Sequence, residues 1–207
     1  MIAIVDYGMG NLASVKKALD YIGEESVITD DSSDISKAGG VILPGVGAFA
    51  PAMENLALKG LDTALINACA SGKPFLGICL GMQLLMDGSE EGVTVKAGSH
   101  AQISGLGIIP GKVRRFPDMG LKIPQMGWNS LIDCKGSLLT EGDYVYFVHS
   151  YYCDPQHKSD IAAMTDYGIT YCSALESGNV FATQFHPEKS GEAGLQILSK
   201  FARRVRA

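Results

Sequence analysis

One cysteine between two glycines is the strongest candidate for a reacting group. The segment Gly77-Ile-Cys79-Leu-Gly81 follows the apolar run 74–78 and leads into a helical pattern. A strand, a sharp turn and a helix in this order hold a nucleophile in a strained backbone position, and flanking glycines let the strand and helix approach closely. The positive end of the helix would favour thiolate over thiol. A buried core cysteine is the alternative, and it is the commoner role of a free thiol.

A cysteine nucleophile needs a base, and His186 is the best placed of the four histidines. It follows the predicted strand 179–184, and Glu188 comes two residues later. In an extended chain the side chains of His186 and Glu188 emerge on one side. The carboxylate can then bind one imidazole nitrogen while the other nitrogen faces Cys79. Taken alone, His-Pro-Glu is equally well explained as a strand end followed by a turn.

The remaining histidines are less informative. His149 ends the apolar strand 145–148 and lies either near a site or at the rim of the sheet. His100 and His157 stand in polar stretches, so we expect both on the surface.

Two glycine-rich turns follow apolar strands. Pro44-Gly-Val-Gly47 ends the run 40–44, and its amides can face a ligand or form an ordinary turn into a helix. Gly8-Met-Gly10 follows the run 2–5 and is similar to the start of a dinucleotide-binding fingerprint. Matches this short are frequent by chance, so nucleotide binding has little support.

These groups are positioned by alternating strand and helix patterns. Short apolar runs at 2–5, 26–29, 40–44 and 74–78 alternate with helical patterns at 12–22 and 51–70, while 30–34 reads as a polar connection. Such alternation predicts an α/β fold with an open, mostly parallel sheet flanked by helices. Functional sites of these sheets lie at the carboxyl ends of strands, where the glycine turns and Cys79 fall.

The second half of the chain is β-rich and predicts an antiparallel extension of the sheet. Predicted strands cover 112–116, 122–128, 144–152, 161–164, 170–175 and 179–184. Residues 89–107 are rich in Gly and Ser and are expected to form an exposed excursion, and 194–204 predicts a last amphipathic helix. Without a linker or a repeat, residues 1–207 are predicted to form a single domain.

Composition narrows the function classes. Hydrophobic residues make up 46% and charged residues 19% of the 207 positions, so a large core is expected. A net charge of −5 without a long basic run argues against nucleic acid as a partner. Five widely spaced cysteines predict neither a disulfide framework nor a metal site, and they fit the cytoplasm. Neither a signal peptide nor a membrane span, which needs roughly 18 apolar residues, is predicted.

The Cys79 turn together with His186-Pro-Glu188 resembles the class I glutamine amidotransferases, and the likeness covers nearly the whole chain. Five segments are similar to one branch of that family, the glutaminase subunits of imidazole glycerol phosphate synthases of histidine biosynthesis. These segments are Val5–Leu12, Leu43–Phe49, Pro124–Asn129, Tyr146–Tyr151 and His186–Ser190.

The resemblance implies a mechanism. Cys79 would attack the side-chain amide of glutamine, His186 would move the proton, and Glu188 would orient His186. A thioester would form and be hydrolysed to glutamate, with no cofactor or metal. The resemblance also implies an oxyanion hole of backbone amides, from Leu80 and from Val46 or Gly47. It implies substrate contacts at Gly45, Gln83, Ser150 and Tyr151.

The resemblance further implies a partner, a (β/α)8-barrel cyclase that forms a heterodimer with the glutaminase and receives its ammonia. The cyclase product would be imidazole glycerol phosphate together with an aminoimidazole carboxamide ribotide. We expect the interface to include Asn11, Trp128, Tyr146 and Lys189, although Trp128 could equally belong to the core. Two alternatives stay open: the glutaminase of another ammonia-channelling synthase, for pyridoxal phosphate or anthranilate, and a non-catalytic relative of the same fold.

Overall fold

The computed structural model describes residues 1–92 and 102–206. The strands in these residues are β1 (Ile2–Val5), β2 (Ser26–Thr29), β3 (Gly40–Gly45), β4 (Phe75–Cys79), β5 (Gly88–Ser89), β6 (Ile103–Ser104), β7 (Gly111–Arg115), β8 (Gln125–Ser130), β9 (Tyr144–His149), β10 (Tyr151–Pro155), β11 (Ile161–Asp166), β12 (Thr170–Ser177) and β13 (Val180–Thr183). The α-helices are α1 (Leu12–Tyr21), α2 (Ser32–Lys37), α3 (Phe49–Leu58), α4 (Leu61–Ala70), α5 (Leu80–Leu84) and α6 (Gly191–Arg206).

The parallel part of the main sheet has the strand order β2-β1-β3-β4-β13. Every residue of β1, β3, β4 and β13 is buried, as expected for strands covered by helices on both faces. Because these strands run in one direction, their carboxyl ends meet at one edge of the sheet. The turn after β1, the loop after β3 and Cys79 at the end of β4 therefore lie together.

The sheet continues beyond β13 through β12, β10, β7, β5 and β6, mostly in antiparallel pairs, and β11 pairs with β12. Strands β8 and β9 form a separate antiparallel pair. The mostly parallel α/β sheet with an antiparallel extension is thus confirmed.

Two helical layers enclose the sheet. On one face α1 and α6 bury apolar stripes, including Leu19 and Phe201, against β1 and β4; on the other, α2, α3 and α4 bury residues such as Ile35, Leu56 and Leu65. Burying a side chain of this size contributes roughly 1.5–3 kcal/mol, which makes these stripes the main support of the sheet. No helix within residues 1–92 and 102–206 has the length and apolar character needed to cross a membrane.

Residues 30–34 are predicted to be a polar connection, but helix α2 starts within them at Ser32. The Asp31 carboxylate accepts a hydrogen bond from the Ser33 amide at 2.7 Å, which caps the helix at its start. At the other end the Lys73 ammonium donates to the carbonyls of Ile35 and Ser36, both at 2.7 Å. A contact from a residue 37 positions away stabilises a helix too short to be stable by itself.

The exposed excursion predicted at 89–107 is wrong at both of its ends. Ser89 and Leu106 are buried, because β5 and β6 pair with each other and extend the sheet beyond β7. The middle of the excursion, including His100, lies outside the described residues. The prediction for His157 is confirmed, since it is exposed.

Candidate active site

Cys79 occupies a strained turn between β4 and α5. Its φ of 55° and ψ of −108° lie in a region that costs a side chain about 1–3 kcal/mol. The turn requires glycine at both flanks. A Cβ at Gly81 would lie 1.8 Å from the Leu43 carbonyl oxygen, and one at Gly77 would lie 2.8 Å from the Gly81 carbonyl oxygen. The tight reversal predicted from the two glycines is therefore present, with the sulfur at the edge of the sheet.

The His186 imidazole is oriented by Glu188. Nδ1 of His186 lies 2.8 Å from Oε1 of Glu188, and the two side chains are only 2% and 1% exposed. The other imidazole nitrogen, Nε2, is buried without a hydrogen-bond partner in the described part of the chain, and His186 lines the same cavity as Cys79. The structure thus brings the His186–Glu188 pair to the same cavity as Cys79, although His186 lies 107 residues after Cys79 in the chain.

The surroundings of His186 favour its protonated form. Burial alone would lower its pKa, but the Cys79 sulfur and the Glu188 carboxylate outweigh burial and raise the pKa to about 9. The imidazole is therefore protonated at neutral pH. A cation beside a cysteine favours the thiolate, which is the nucleophilic form.

A cavity of about 380 Å³ opens over Cys79. This volume lies within the roughly 300–1,000 Å³ of small-molecule sites. Its walls are formed by Val46, Gly47, Cys79, Leu80, Gln83, Glu91, Pro124, Val148, His149, Ser150, Tyr151 and His186. Gly45 lies behind this wall: a Cβ there would come within 2.5 Å of the Tyr7 hydroxyl and 2.8 Å of the Leu80 Cβ.

The two predicted sources of oxyanion donors flank the sulfur. Leu80 is the first residue of α5, so its amide belongs to the free amides of a helix start. Gly47, in the loop after β3, has a φ of 105°, and a Cβ there would lie 2.6 Å from the Met9 methyl carbon. The turn after β1 therefore packs directly on this loop.

The amide of Gln83 is held by groups of the protein. Its Nε2 lies 3.1 Å from the Tyr151 carbonyl oxygen and 3.1 Å from Oε1 of Gln184, so both of its hydrogens have partners. The Tyr151 carbonyl also accepts from Nδ1 of His149 at 2.7 Å. Burial lowers the pKa of His149 to about 4 and keeps it neutral. His149 therefore supports the cavity wall. Of the two positions that the sequence left open, near a site or at the rim of the sheet, it occupies the first.

Sequence reasoning missed two side chains near the sulfur. Glu91 lines the cavity and accepts a hydrogen bond from the Phe49 amide at 2.8 Å, but it stands in a Gly- and Ser-rich stretch that gave no signal. Gln184 lies 3.7 Å from the Cys79 sulfur. It precedes His186 by two residues, so the alternation of an extended chain could have placed it on the same side.

The predicted interface residues stand on β8, on β9, just after His186 and just before α1. Trp128 is 55% exposed, which rules out the core alternative, and its ring meets Tyr146 edge-on with centroids 6.1 Å apart. The Tyr146 carbonyl accepts from the His186 amide at 3.0 Å. Lys189 is exposed just beyond the His186 turn. Asn11 stands at the N-cap of α1, but its side chain makes no capping bond.

All five cysteines lie in the described residues and are free thiols. Across residues 1–92 and 102–206, no group of three or more His, Cys, Asp and Glu side chains could hold a metal ion.

Comparison of the sequence with known proteins identifies similar chains over the full length. The profile of the family described as glutamine amidotransferase class-I matches residues 3–205. The chain is 51% identical to the imidazole glycerol phosphate synthase subunit HisH of Chlorobaculum tepidum, over 98% of this chain and 99% of that protein. It is 49% identical to the subunit of the same name from Methanothermobacter thermautotrophicus, over 100% of both chains.

Solved structures share the fold at low identity. A crystal structure titled as a glutamine amidotransferase superposes with a TM-score of 0.77 at 18% identity, covering 100% of both chains. A chain of the PurLQS structure from Thermotoga maritima superposes with a TM-score of 0.71 at 20% identity, covering 98% of this chain and 97% of that one.

Proposed function

Because the chain belongs to the class I glutamine amidotransferases, we propose that it is the glutaminase subunit of an imidazole glycerol phosphate synthase in histidine biosynthesis. Relatives of that name share about half of its residues over the full chain. The observation that carries the proposal is Cys79 on a strained turn in one cavity with the His186–Glu188 pair. An intact nucleophile, base and carboxylate favour this function over a non-catalytic relative.

The geometry supports hydrolysis of glutamine through a covalent intermediate. The Cys79 thiolate adds to the amide carbon, and the protonated His186 then gives its proton to the departing ammonia. The product is a thioester of Cys79 with the glutamyl group. His186 next takes a proton from water as the water adds to the thioester, which releases glutamate and restores the thiolate.

Both additions place a negative charge on the former carbonyl oxygen. The Leu80 amide and an amide at Val46 or Gly47 are the proposed donors. Losing one such donor typically costs about 3 kcal/mol of transition-state stabilisation. A loop after β3 that aimed its amide away would therefore nearly silence the enzyme.

The cavity walls carry groups that suit a free amino acid. Both hydrogens of the Gln83 amide nitrogen have protein partners, which leaves Oε1 as the atom of this amide that can accept from the substrate ammonium. The Glu91 carboxylate adds a negative charge at the same wall. Gly45 and the backbone of Ser150 and Tyr151 stay predicted substrate contacts.

Glu91→Gln should raise the KM for glutamine about tenfold and leave kcat within about twofold. A charged hydrogen bond to the substrate ammonium contributes about 1.5–3 kcal/mol, and a neutral amide provides only part of this. Steady-state kinetics with the partner present measures the effect. Glu90→Gln is the matched control, because Glu90 faces Arg114 at 3.3 Å outside the cavity wall. Equal KM values for the two variants would remove Glu91 from the binding site.

The proposed partner is a (β/α)8-barrel cyclase that binds beside the site and receives ammonia. Strands β8 and β9 present an aromatic face, here defined as Met126, Trp128, Tyr144, Tyr146 and Val148. Met126, Trp128 and Tyr144 are exposed, and Val148 lines the cavity over Cys79. An exposed aromatic surface that continues into the cavity suits a docking site through which ammonia passes. Asn11 and Lys189 are proposed to border this interface.

Contacts within the chain offer a way for the partner to control the site. Met9 lies against Gly47, so a partner that presses on the turn after β1 also acts on the oxyanion loop. Binding of the cyclase ligand would then set the loop and raise glutaminase activity, which is a coupling between two sites.

Trp128→Ala should weaken binding of the cyclase subunit about 10- to 30-fold, because large aromatic side chains dominate interface energies. Titration calorimetry with the cyclase subunit provides the dissociation constant. The melting temperature should change little, since Trp128 is more than half exposed. Leu58→Ala, an exposed apolar residue on α3 outside the aromatic face, is the control and should bind as the wild type does. Unchanged affinity in Trp128→Ala would place the interface elsewhere.

The function itself is tested by measuring glutamate release alone, with the cyclase subunit, and with the cyclase subunit and its ligand. The proposal expects strong activation in the last mixture, and activation by the pyridoxal phosphate or anthranilate synthase partner instead would favour the corresponding alternative. We propose the cytoplasm as the location, which the five free thiols support.

A further inference from the structure

A second side chain contacts the Cys79 sulfur besides the catalytic pair. Nε2 of Gln184 lies 3.7 Å from Sγ, within hydrogen-bonding range for sulfur. Gln184 is fully buried, and its backbone amide donates to the Ser173 carbonyl oxygen at 2.9 Å. Gln184 directly follows β13, and it is held in place both by its backbone and by the contact of its side-chain amide.

The orientation of this amide follows from one backbone carbonyl. The Tyr151 carbonyl oxygen can only accept hydrogen bonds, so the Gln83 atom 3.1 Å from it must be the NH₂ group. The second hydrogen of that group points at Gln184, which must therefore present its oxygen at 3.1 Å. The remaining end of the Gln184 amide, its NH₂ group, then faces the sulfur. The network permits no flipped alternative for either glutamine without losing a bond.

We propose that Gln184 is the hydrogen-bond donor that stabilises the Cys79 thiolate and holds it in the attacking position. The inference rests on the proposed function only in taking Cys79 as the nucleophile. The same donor acts twice in the reaction, because the sulfur is negative before it attacks and again when it leaves the thioester. A neutral donor suits both moments, since it carries no proton that the substrate or water can remove.

Gln184 is neutral and does not titrate, unlike the ionisable groups near the sulfur. The titratable groups that face Cys79 are Tyr7 after β1, His149 on β9, Cys153 on β10, Tyr171 on β12, His186 after β13 and Glu91 at the cavity wall. Replacing Gln184 by an apolar residue therefore alters only the hydrogen bonding to the sulfur. Replacing it by Glu also adds one negative charge.

The test is the pH dependence of Cys79 alkylation by iodoacetamide, read by mass spectrometry of the peptide containing Cys79. Gln184→Met removes the donor and should move the inflection up by about one pH unit, with alkylation at neutral pH slowed about 3- to 10-fold. Gln184→Glu places a carboxylate beside the thiolate and should have a larger effect in the same direction. Thr183→Val is the control: it is the preceding residue, equally buried, and its hydroxyl donates to Phe185 rather than to Cys79.

A wild-type inflection in folded Gln184→Met or Gln184→Glu would overturn the proposal, even if glutamine hydrolysis had fallen, because a merely structural residue leaves thiol ionisation unchanged. If both variants fail to fold, the proposal is tested by NMR on wild-type protein that carries ¹⁵N in its glutamine side chains. The Gln184 amide resonance should then titrate together with Cys79, and a resonance that does not titrate would refute the contact. Alkylation needs no substrate, so failure here leaves the proposed glutaminase intact. A wild-type Cys79 no more reactive than the other thiols would contradict both.

Discussion

Cys79→Ala is expected to lower glutamine hydrolysis by at least about 10⁴-fold, measured with the cyclase subunit and its ligand present. The variant lacks the atom that forms the thioester, and removing a nucleophile that acts as a unit with its base has effects of this size. The structure should survive, because Ala fills the same backbone position with a smaller side chain. Binding of glutamine and of the cyclase subunit should stay close to wild type.

The raised pKa values of the other four thiols distinguish them from the proposed nucleophile. Burial raises the pKa of Cys69 to about 12 and that of Cys172 to about 12, and it raises the pKa of Cys153 well above its usual value. Burial and the Glu141 carboxylate raise the pKa of Cys134 to about 11. All four are protonated at neutral pH and are poor nucleophiles.

A glutamine-analogue electrophile should consequently label wild-type protein once, at Cys79, and leave Cys79→Ala unlabelled. Cys134→Ala is the matched control and should keep both labelling and activity. Glutamate release by Cys79→Ala at a rate comparable to wild type would refute the proposed mechanism.

Glu188→Gln is the second large effect, with an expected loss of about 10³-fold in kcat. Gln can still accept the Nδ1–H of His186 through its oxygen, so the imidazole stays oriented. It lacks the negative charge that stabilises the protonated imidazole. Because Glu188 is one of the groups that raise the pKa of His186 to about 9, the pKa should fall in the variant.

The pH profile separates this electrostatic role from a structural one. Activity requires protonated His186 beside the thiolate, so it is lost as pH rises through the His186 pKa. The alkaline limb of the profile should therefore move from near 9 in the wild type to lower pH in Glu188→Gln. Glu192→Gln, an exposed residue in the first turn of α6, makes the same change in charge and should keep the wild-type profile. An unmoved alkaline limb in Glu188→Gln would contradict the role given to Glu188.

Stability gives a further check on the same variant. Glu188 Oε2 is buried with no hydrogen-bond partner in the described residues, which is unfavourable for a charged oxygen. Replacing the carboxylate by a neutral amide removes this burden, but it also removes the negative charge that pairs with the protonated His186, so the melting temperature should fall at neutral pH. The variant should still unfold in one cooperative transition above the assay temperature, whereas a variant that lost activity by unfolding would show no such transition.

Local patterns accounted for most of the fold and for the three central groups. The strands of the parallel sheet were predictable because strands buried on both faces leave unbroken apolar runs. Cys79 was predictable because the two glycines beside it are a local requirement of the turn, and each is explained by a backbone atom less than 3 Å from the missing Cβ. The class I family and the glutaminase function, predicted from motifs, are confirmed by the full-length relatives. The roles of the individual site residues stay predictions.

Contacts between distant segments were beyond the reach of the sequence. Helix α2 depends on Lys73, the buried ends of the supposed excursion depend on pairing with β7, and Glu91 reaches the cavity from a segment without a pattern. None of these contacts imposes a periodicity or a turn signal on the residues that make it. The sequence by itself predicted Cys79 as the nucleophile and His186–Glu188 as the pair that serves it, because the two glycines of the turn and the His-Pro-Glu spacing are local patterns. Only the tertiary structure decided that the Gln83 amide nitrogen is held by protein groups and that the Gln184 amide faces the sulfur. That orientation is set by a hydrogen-bond network linking residues 68 and 101 positions apart, and such partners leave no local trace.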